Sequence, residues 1–339
     1  MRSCLHITNG DAAGEVLKRS GLGGDVLPWR DTMFEGPFPA GLDLAPMSRV
    51  RAAYLAGLGL PEDRIRDDFA ARDAALGRAA SYGAVTLWFE HDLLDQLQLL
   101  QLLDWFADAD IGETDLGMVC IGDFPGIDEF RGLGQLDPQQ LASLAPQRAP
   151  VTETQLRLGK AGWAAFRASD PRAIERFLAR DLTSLPFMTA ALMRYLEEFP
   201  SAAEGVGRTH RTLLRLVESG VSDPVSLFRE TMTREKVLYM GDWSTFRRID
   251  ELLRPRAPLL ACRPFGVFRW PPGIALPLAD FRAQTLSLTE AGRQVLAGER
   301  RTDALAGFDY WLGGVHFANG AAPWYWNGAA KRLQPAAAP

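Results

Sequence analysis

Cysteine and histidine are scarce in this chain, with three of the first and four of the second in 339 residues. Cys4, Cys120 and Cys262 lie far apart, each in an apolar run, with no CxxC pair and no Cys/His zinc spacing. That argues against a disulfide scaffold or a cysteine-based zinc module, and reads as buried, reduced thiols in a cytoplasmic protein. No stretch of about 18 apolar residues occurs, so no membrane-spanning helix is expected. The first residues run straight into a strand-like segment, without a charged and then apolar leader, so no signal peptide is expected. The glycine fingerprints of nucleotide binding, GxGxxG and GxxxxGK[ST], are both missing. GxSxG is missing too, and Cys4 and Cys120 read as strand core rather than nucleophiles.

What is present suits a globular protein of two domains. Hydrophobic residues make up 47% and charged residues 23%, enough apolar material for a sizeable core. The net charge of -5 argues weakly against a protein that coats nucleic acid. It is unevenly spread: residues 181–339 hold 19 Lys and Arg against 16 Asp and Glu, leaving -8 for the first 180. An acidic site domain joined to a mildly basic accessory domain fits that split.

Short apolar runs alternate with helical patterns in the first 122 residues. Ser3–Thr8, Asp25–Trp29, Ala84–Phe89 and Leu116–Ile121 read as strands, the third most clearly because it is β-branched and aromatic. Asp11–Ser20, Ser48–Leu58, Glu62–Ala80 and Asp92–Asp108 read as helices, with Asp11 and Asp92 at N-cap positions. Strands alternating with helices imply a mostly parallel, Rossmann-like sheet over residues 1–146. A mainly helical, winged-helix-like second domain is expected over 151–333. In it, strands at Pro258–Cys262 and Gln284–Leu288 flank a Pro/Gly-rich wing-tip segment, Arg263–Pro277. A disordered tail is expected over 334–339.

In an open α/β sheet, ligands bind where the strands end at their carboxyl edge. Ionisable residues cluster at those ends. After the first strand, Asn9, Gly10 and Asp11 open a helix, a geometry that suits an anion, although Asp11 can equally serve as a plain cap. After the second come Arg30, Asp31 and Glu35, an anion clamp with a carboxylate base or a surface ion pair holding a long loop. After the third come Glu90, His91 and Asp92, with Asp95 and Gln96 in the first turn of the next helix. His91, Glu90 and Asp31 are the catalytic candidates, and His6, Glu90 and His91 the metal-ligand candidates, His6 being equally readable as a hydrogen-bonded core residue. Alternation along a strand turns Glu90 and His91 opposite ways. In the second half, Arg208, Arg211 and Arg215 share one helical face, while Tyr310, Trp311, Trp324, Tyr325 and Trp326 crowd the end. Those aromatics suit closure over the first domain, a subunit contact or a core.

The strings HITNGD (His6–Asp11), WRDTMFEGP (Trp29–Pro37) and LWFEHDLLDQLQLLQLL (Leu87–Leu103) together resemble a bacterial family known as domain of unknown function 1835. The resemblance covers residues 3–122, about a third of the chain. That family has no established activity, so the likeness implies no chemistry. Leu94 stands where the family pattern implies a tyrosine, which removes a hydroxyl from that position. TEAGRQVL (Thr289–Leu296) resembles the helix that comes after the wing in winged-helix proteins.

Three readings are open at this point. The first is an enzyme on a phosphorylated or nucleotide-like small molecule, a metal-dependent hydrolase or transferase using Mg2+ or another divalent cation. The second is a ligand-sensing, DNA-binding regulator, and the third a non-catalytic assembly protein, with a homodimer open in each case.

Overall fold

A computed structural model describes residues 3–270, 277–301 and 304–336. The first part runs β1 (Cys4–Thr8), α1 (Asp11–Arg19), β2 (Asp25–Pro28), β3 (Gly36–Pro37), α2 (Leu44–Gly57), α3 (Glu62–Leu76), β4 (Ala84–Glu90), α4 (Leu93–Asp108), β5 (Asp115–Ile121), α5 (Pro138–Ala142) and β6 (Ala149–Pro150). Next in the chain are α6 (Glu153–Phe166), α7 (Arg172–Leu178), α8 (Met188–Leu196), α9 (Arg208–Glu218), α10 (Pro224–Met232) and α11 (Asp242–Glu251). The chain continues through β7 (Leu260–Arg263), α12 (Leu278–Arg282), β8 (Thr285–Leu288), α13 (Glu290–Leu296), β9 (Tyr310–Gly313), β10 (Val315–Phe317), β11 (Trp324–Asn327) and β12 (Arg332–Pro335).

The expected α/β architecture is present. The main sheet has the order β2-β1-β4-β5-β6, with the first four strands parallel and the short β6 antiparallel to β5. Strand order reverses between β1 and β4, so the topological switch point lies at their carboxyl ends. Alternation along β4 assigns its two faces. Val85, Leu87 and Phe89 enter a large core with the leucines of α4, and this core extends without a break to Leu333. Trp88 enters a second, smaller core beneath α1 and α5. Helix α4 forms because Asp92 caps it through the Asp95 amide and because its leucines recur at helical spacing. It packs chiefly on α6.

Several boundaries differ from expectation. Helix α2 starts at Leu44, with Pro46 tolerated in its first turn, and α3 stops at Leu76 before Gly77. The N-cap of α1 is Gly10, not Asp11, which is the first helical residue. Gln334 and Pro335 pair with β11 rather than belonging to a loose tail, and 337–339 lie outside the described residues. Strands β7 and β8 form an antiparallel ribbon with α13 directly after it, while 271–276 of the expected wing tip lie outside the described residues. The aromatic end does close over the first part: β9 pairs in parallel with β3, Gly36 with Leu312 and Pro37 with Gly313. No described helix is long and apolar enough to cross a membrane.

Candidate functional site

At the switch point, residues from β1 and β4 meet as expected. Asn9 Nδ2 donates to Glu90 Oε1 at 3.3 Å and to Asp95 Oδ2 at 2.8 Å. The Glu90 amide donates to Asp95 Oδ1 at 2.8 Å, and the Asp95 amide to Asp92 Oδ1 at 3.0 Å. Gln96 Nε2 donates to the Glu90 carbonyl at 2.6 Å. Glu90, Asp92 and Asp95 are all buried, and each offers an oxygen within 4.8 Å of the others. Among the described residues, none of the main groups acting on them is a lysine or arginine. Burial pushes the Glu90 carboxyl up to about 8, with Asp92 adding to the push. Burial also raises Asp92 to about 6, and holds Asp95 well above the usual carboxylate range with help from Asp92 and Glu90. Such a trio stays in a core by holding protons or by holding a cation.

The crevice over this trio is closed by the chain itself. The Leu133 amide donates to Glu90 Oε1. Gly132 has φ +129°, and a Cβ there would sit 2.1 Å from Glu90 Oε2. Only glycine permits both the conformation and the approach. Sequence reasoning alone misses this Gly132–Gly134 cover; its one signal is a glycine pair in the connection after the strand next to β4. It misses Gln98 as well. The Gln98 Nε2 lies within hydrogen-bond reach of the carbonyls of Asn9 (3.2 Å), Trp29 (2.7 Å) and Asp31 (3.1 Å), tying the first two strand-end loops to α4.

His91 points the other way, as alternation requires. Its ring packs against Phe130 and Phe187, with centroids at 6.1 and 5.9 Å. Nδ1 is buried without a partner, and Nε2 has none among the described residues, which leaves Nε2 as the nitrogen that reaches solvent. Burial lowers its pKa, so the ring is neutral at pH 7. It borders an open cleft of about 800 Å³ at the carboxyl ends of β4 and β5. One wall is the connection after β5, with Asp123, Asp128 and Phe130; the other is α10 and the segment after it, with Arg229, Met232 and Lys236. Arg229 and Lys236 form no ion pair among the described residues. Glu90, Asp92 and Asp95 do not line this cleft.

The remaining candidates are held elsewhere. Both His6 nitrogens are engaged: Trp88 Nε1 donates to Nδ1 at 3.0 Å, so Nε2 carries the proton given to the Gly23 carbonyl at 2.8 Å. Burial lowers its pKa, and the ring offers no free nitrogen to a metal. Asp31 is buried against Arg51, whose Nε lies 3.1 Å and Nη2 2.7 Å from it. Arg51 also stacks on Phe38 and Tyr54. Glu35 is fully buried and receives Arg247 Nη1 at 2.7 Å. Arg30 makes a two-pronged pair with Asp11 at the surface, which holds the Asp11 carboxyl below its usual range. Gly10 contributes an extended backbone at the cap of α1. Thus Asn9, Glu90, Asp92, Asp95 and Gln96 come together, His91 faces its own cleft, and Asp31, Glu35, Arg30, Asp11 and His6 are each engaged in other contacts.

Fold and site define an α/β protein with a mostly parallel sheet, a plugged switch-point crevice and an open cleft at the next pair of strand ends. No family model and no curated protein matches the chain.

Proposed function

We propose that the protein is an enzyme acting on a phosphorylated or nucleotide-like small molecule held in the cleft beside His91. The placement of His91 carries this reading. Its solvent-facing Nε2 stands at the sheet's carboxyl edge, in a cleft that also carries two cations with no ion pair among the described residues, Arg229 and Lys236. A neutral imidazole exchanges protons near pH 7, and the two cations suit a phosphate. Asp31 and Glu35 then act as scaffold residues, and Glu90 is not the partner of His91. The metal part of the reading rests on the buried trio, whose all-oxygen donor set suits Mg2+ better than a softer ion. A cation there would lie outside the cleft that His91 borders, which the trio does not line, so hydrolase or transferase chemistry rests on His91 and the two cations. Membership of the domain of unknown function 1835 family and a cytoplasmic location belong to the same proposal, on the three quoted strings and on three free thiols. A DNA-binding regulator has the β7–β8 ribbon and α13 as support, but Arg208, Arg211 and Arg215 are all in ion pairs, so their helix presents no free basic face.

Calorimetric titration with inorganic phosphate and adenosine monophosphate tests the reading. Wild type is expected to bind both, and Lys236→Ala to weaken both. Wild type that binds neither at millimolar concentration removes the proposal. Elemental analysis after incubation with Mg2+ or Mn2+ tests the metal part alone: no retained ion in wild type removes that part.

A further inference from the structure

A second, smaller cavity of about 240 Å³ adjoins the cleft and shares His91, Glu235 and Lys236 with it. Its apolar lining comes from Leu93, Ala190, Ala191, Met193, Val237 and Tyr239. Its charged lining is neutralised internally. Arg194 Nη2 lies 2.6 Å from Glu235, and Arg208 is paired with both Glu197 and Glu235. Lys236, by contrast, is exposed and has no ion-pair partner among the described residues, so it is the free charge where the two cavities meet.

We infer that the ligand of this site is an amphipathic phosphate. Its anionic group would sit at Lys236 and Arg229, and a short apolar arm would pass His91 into the small cavity. The inference deepens the reading above and rests on it. Size fixes the arm. An apolar cavity of about 150 Å³ takes a benzene, so about 240 Å³ has room for one aromatic ring or a short acyl chain and not for a lipid tail. Sidedness fixes the direction. The free carboxylates Asp123 and Asp128 belong to the connection after β5, whereas Lys236, Val237 and Tyr239 belong to one continuous segment after α10. The anion site and one side of the small cavity, Val237 and Tyr239, therefore share the wall that carries Arg229 and Lys236, while α4 and α8 supply the rest of the apolar lining.

Titration of the full chain with phenyl phosphate and with inorganic phosphate tests it. Phenyl phosphate is expected to bind about ten-fold or more tightly than inorganic phosphate, the gain from burying a ring. Lys236→Ala should weaken both. Ala190→Phe, at an exposed position on the rim, should bring phenyl phosphate down to the level of inorganic phosphate and leave inorganic phosphate unchanged. If inorganic phosphate binds through Lys236 but phenyl phosphate gains nothing, the arm is overturned and the phosphate cleft stands. If phenyl phosphate gains but Ala190→Phe does not remove the gain, the small cavity is not its site and the inference falls. If neither compound binds, both the inference and the reading beneath it fall.

Discussion

Glu35 and Arg247, 212 residues apart in sequence, meet as a buried ion pair with 2.7 Å between Oε2 and Nη1. Arg247 also reaches Glu251 at 2.6 Å, and Glu251 in turn receives Arg248 and lies 2.9 Å from His210 Nε2. The loop after β2 is thereby anchored to α11. Removing Arg247 leaves Glu35 buried and without its cation, and removing Glu35 leaves two buried guanidinium groups, Arg247 and Arg248, sharing the single carboxylate of Glu251. Glu35→Ala is therefore expected to cost about 3–5 kcal/mol, whereas Glu35→Gln combined with Arg247→Met should cost less than the sum of the singles. Urea unfolding of the wild type, Glu35→Ala, the two singles Glu35→Gln and Arg247→Met, and their double variant measures this; additive losses would show that the pair does not act as a unit.

The acidic trio makes stability depend on pH. Glu90 has a folded pKa of about 8 against an ordinary 4.5, because burial favours the protonated form. The folded state holds this proton more tightly than the unfolded chain. The stabilisation is complete below about 4.5 and is lost as pH rises through about 8. Glu90→Gln, which cannot ionise, should flatten that decline. Denaturation midpoints from pH 4 to pH 9 would show it, and a decline of unchanged size in the variant would place its origin elsewhere.

His6 has the opposite sign. Burial depresses its pKa below 6.5, so its contribution is present above that value and lost as pH falls through the lower folded pKa. Nuclear magnetic resonance titration should find the ring titrating below 6.5, with the neutral form carrying its proton on Nε2. A ring that titrates at 6.5 or above would contradict the Trp88 and Gly23 hydrogen bonds.

Gly132→Ala should loosen the cover over the trio. The added Cβ collides with Glu90 Oε2 at a backbone φ of +129°. A loss of about 1–3 kcal/mol is expected, with faster hydrogen exchange at the Leu133 amide. Unchanged exchange there would mean that the segment accommodates the methyl group in place.

The sheet is legible in the sequence because β1, β2, β4 and β5 are short apolar runs bounded by glycine or charge, a local signal. Strand β3 is not, because its two residues become a strand only through β9 far along the chain, and β9 to β12 are not, because three or four residues in a local hairpin carry too little pattern to read. The same distance hides the roles of Asp31 and Glu35. Arg51 and Arg247 complete their pairs, and nothing in the WRD string points to either. Asp92 is readable as a cap because the apolar helix starts just after it. Asp11 sits one residue past the cap, and an aspartate at the cap and one at the first helical position look alike in sequence. The opposed directions of Glu90 and His91 do come from strand alternation. That the crevice between β1 and β4 is plugged does not, because the plug comes from a connection some forty residues further on.

The pairing of β3 with β9 also orders events in time. A ribosome adding 5–20 residues per second takes on the order of ten to forty seconds to go from Glu35 to Arg247. Leu312 and Gly313, which Gly36 and Pro37 pair with, emerge later still. Until then the Glu35 side chain is a carboxylate without its counter-ion. The first sheet can form early, and Arg51 and Gln98 can already hold the backbone of the loop after β2, but the Glu35 side chain gains its partner only once the far half has been made.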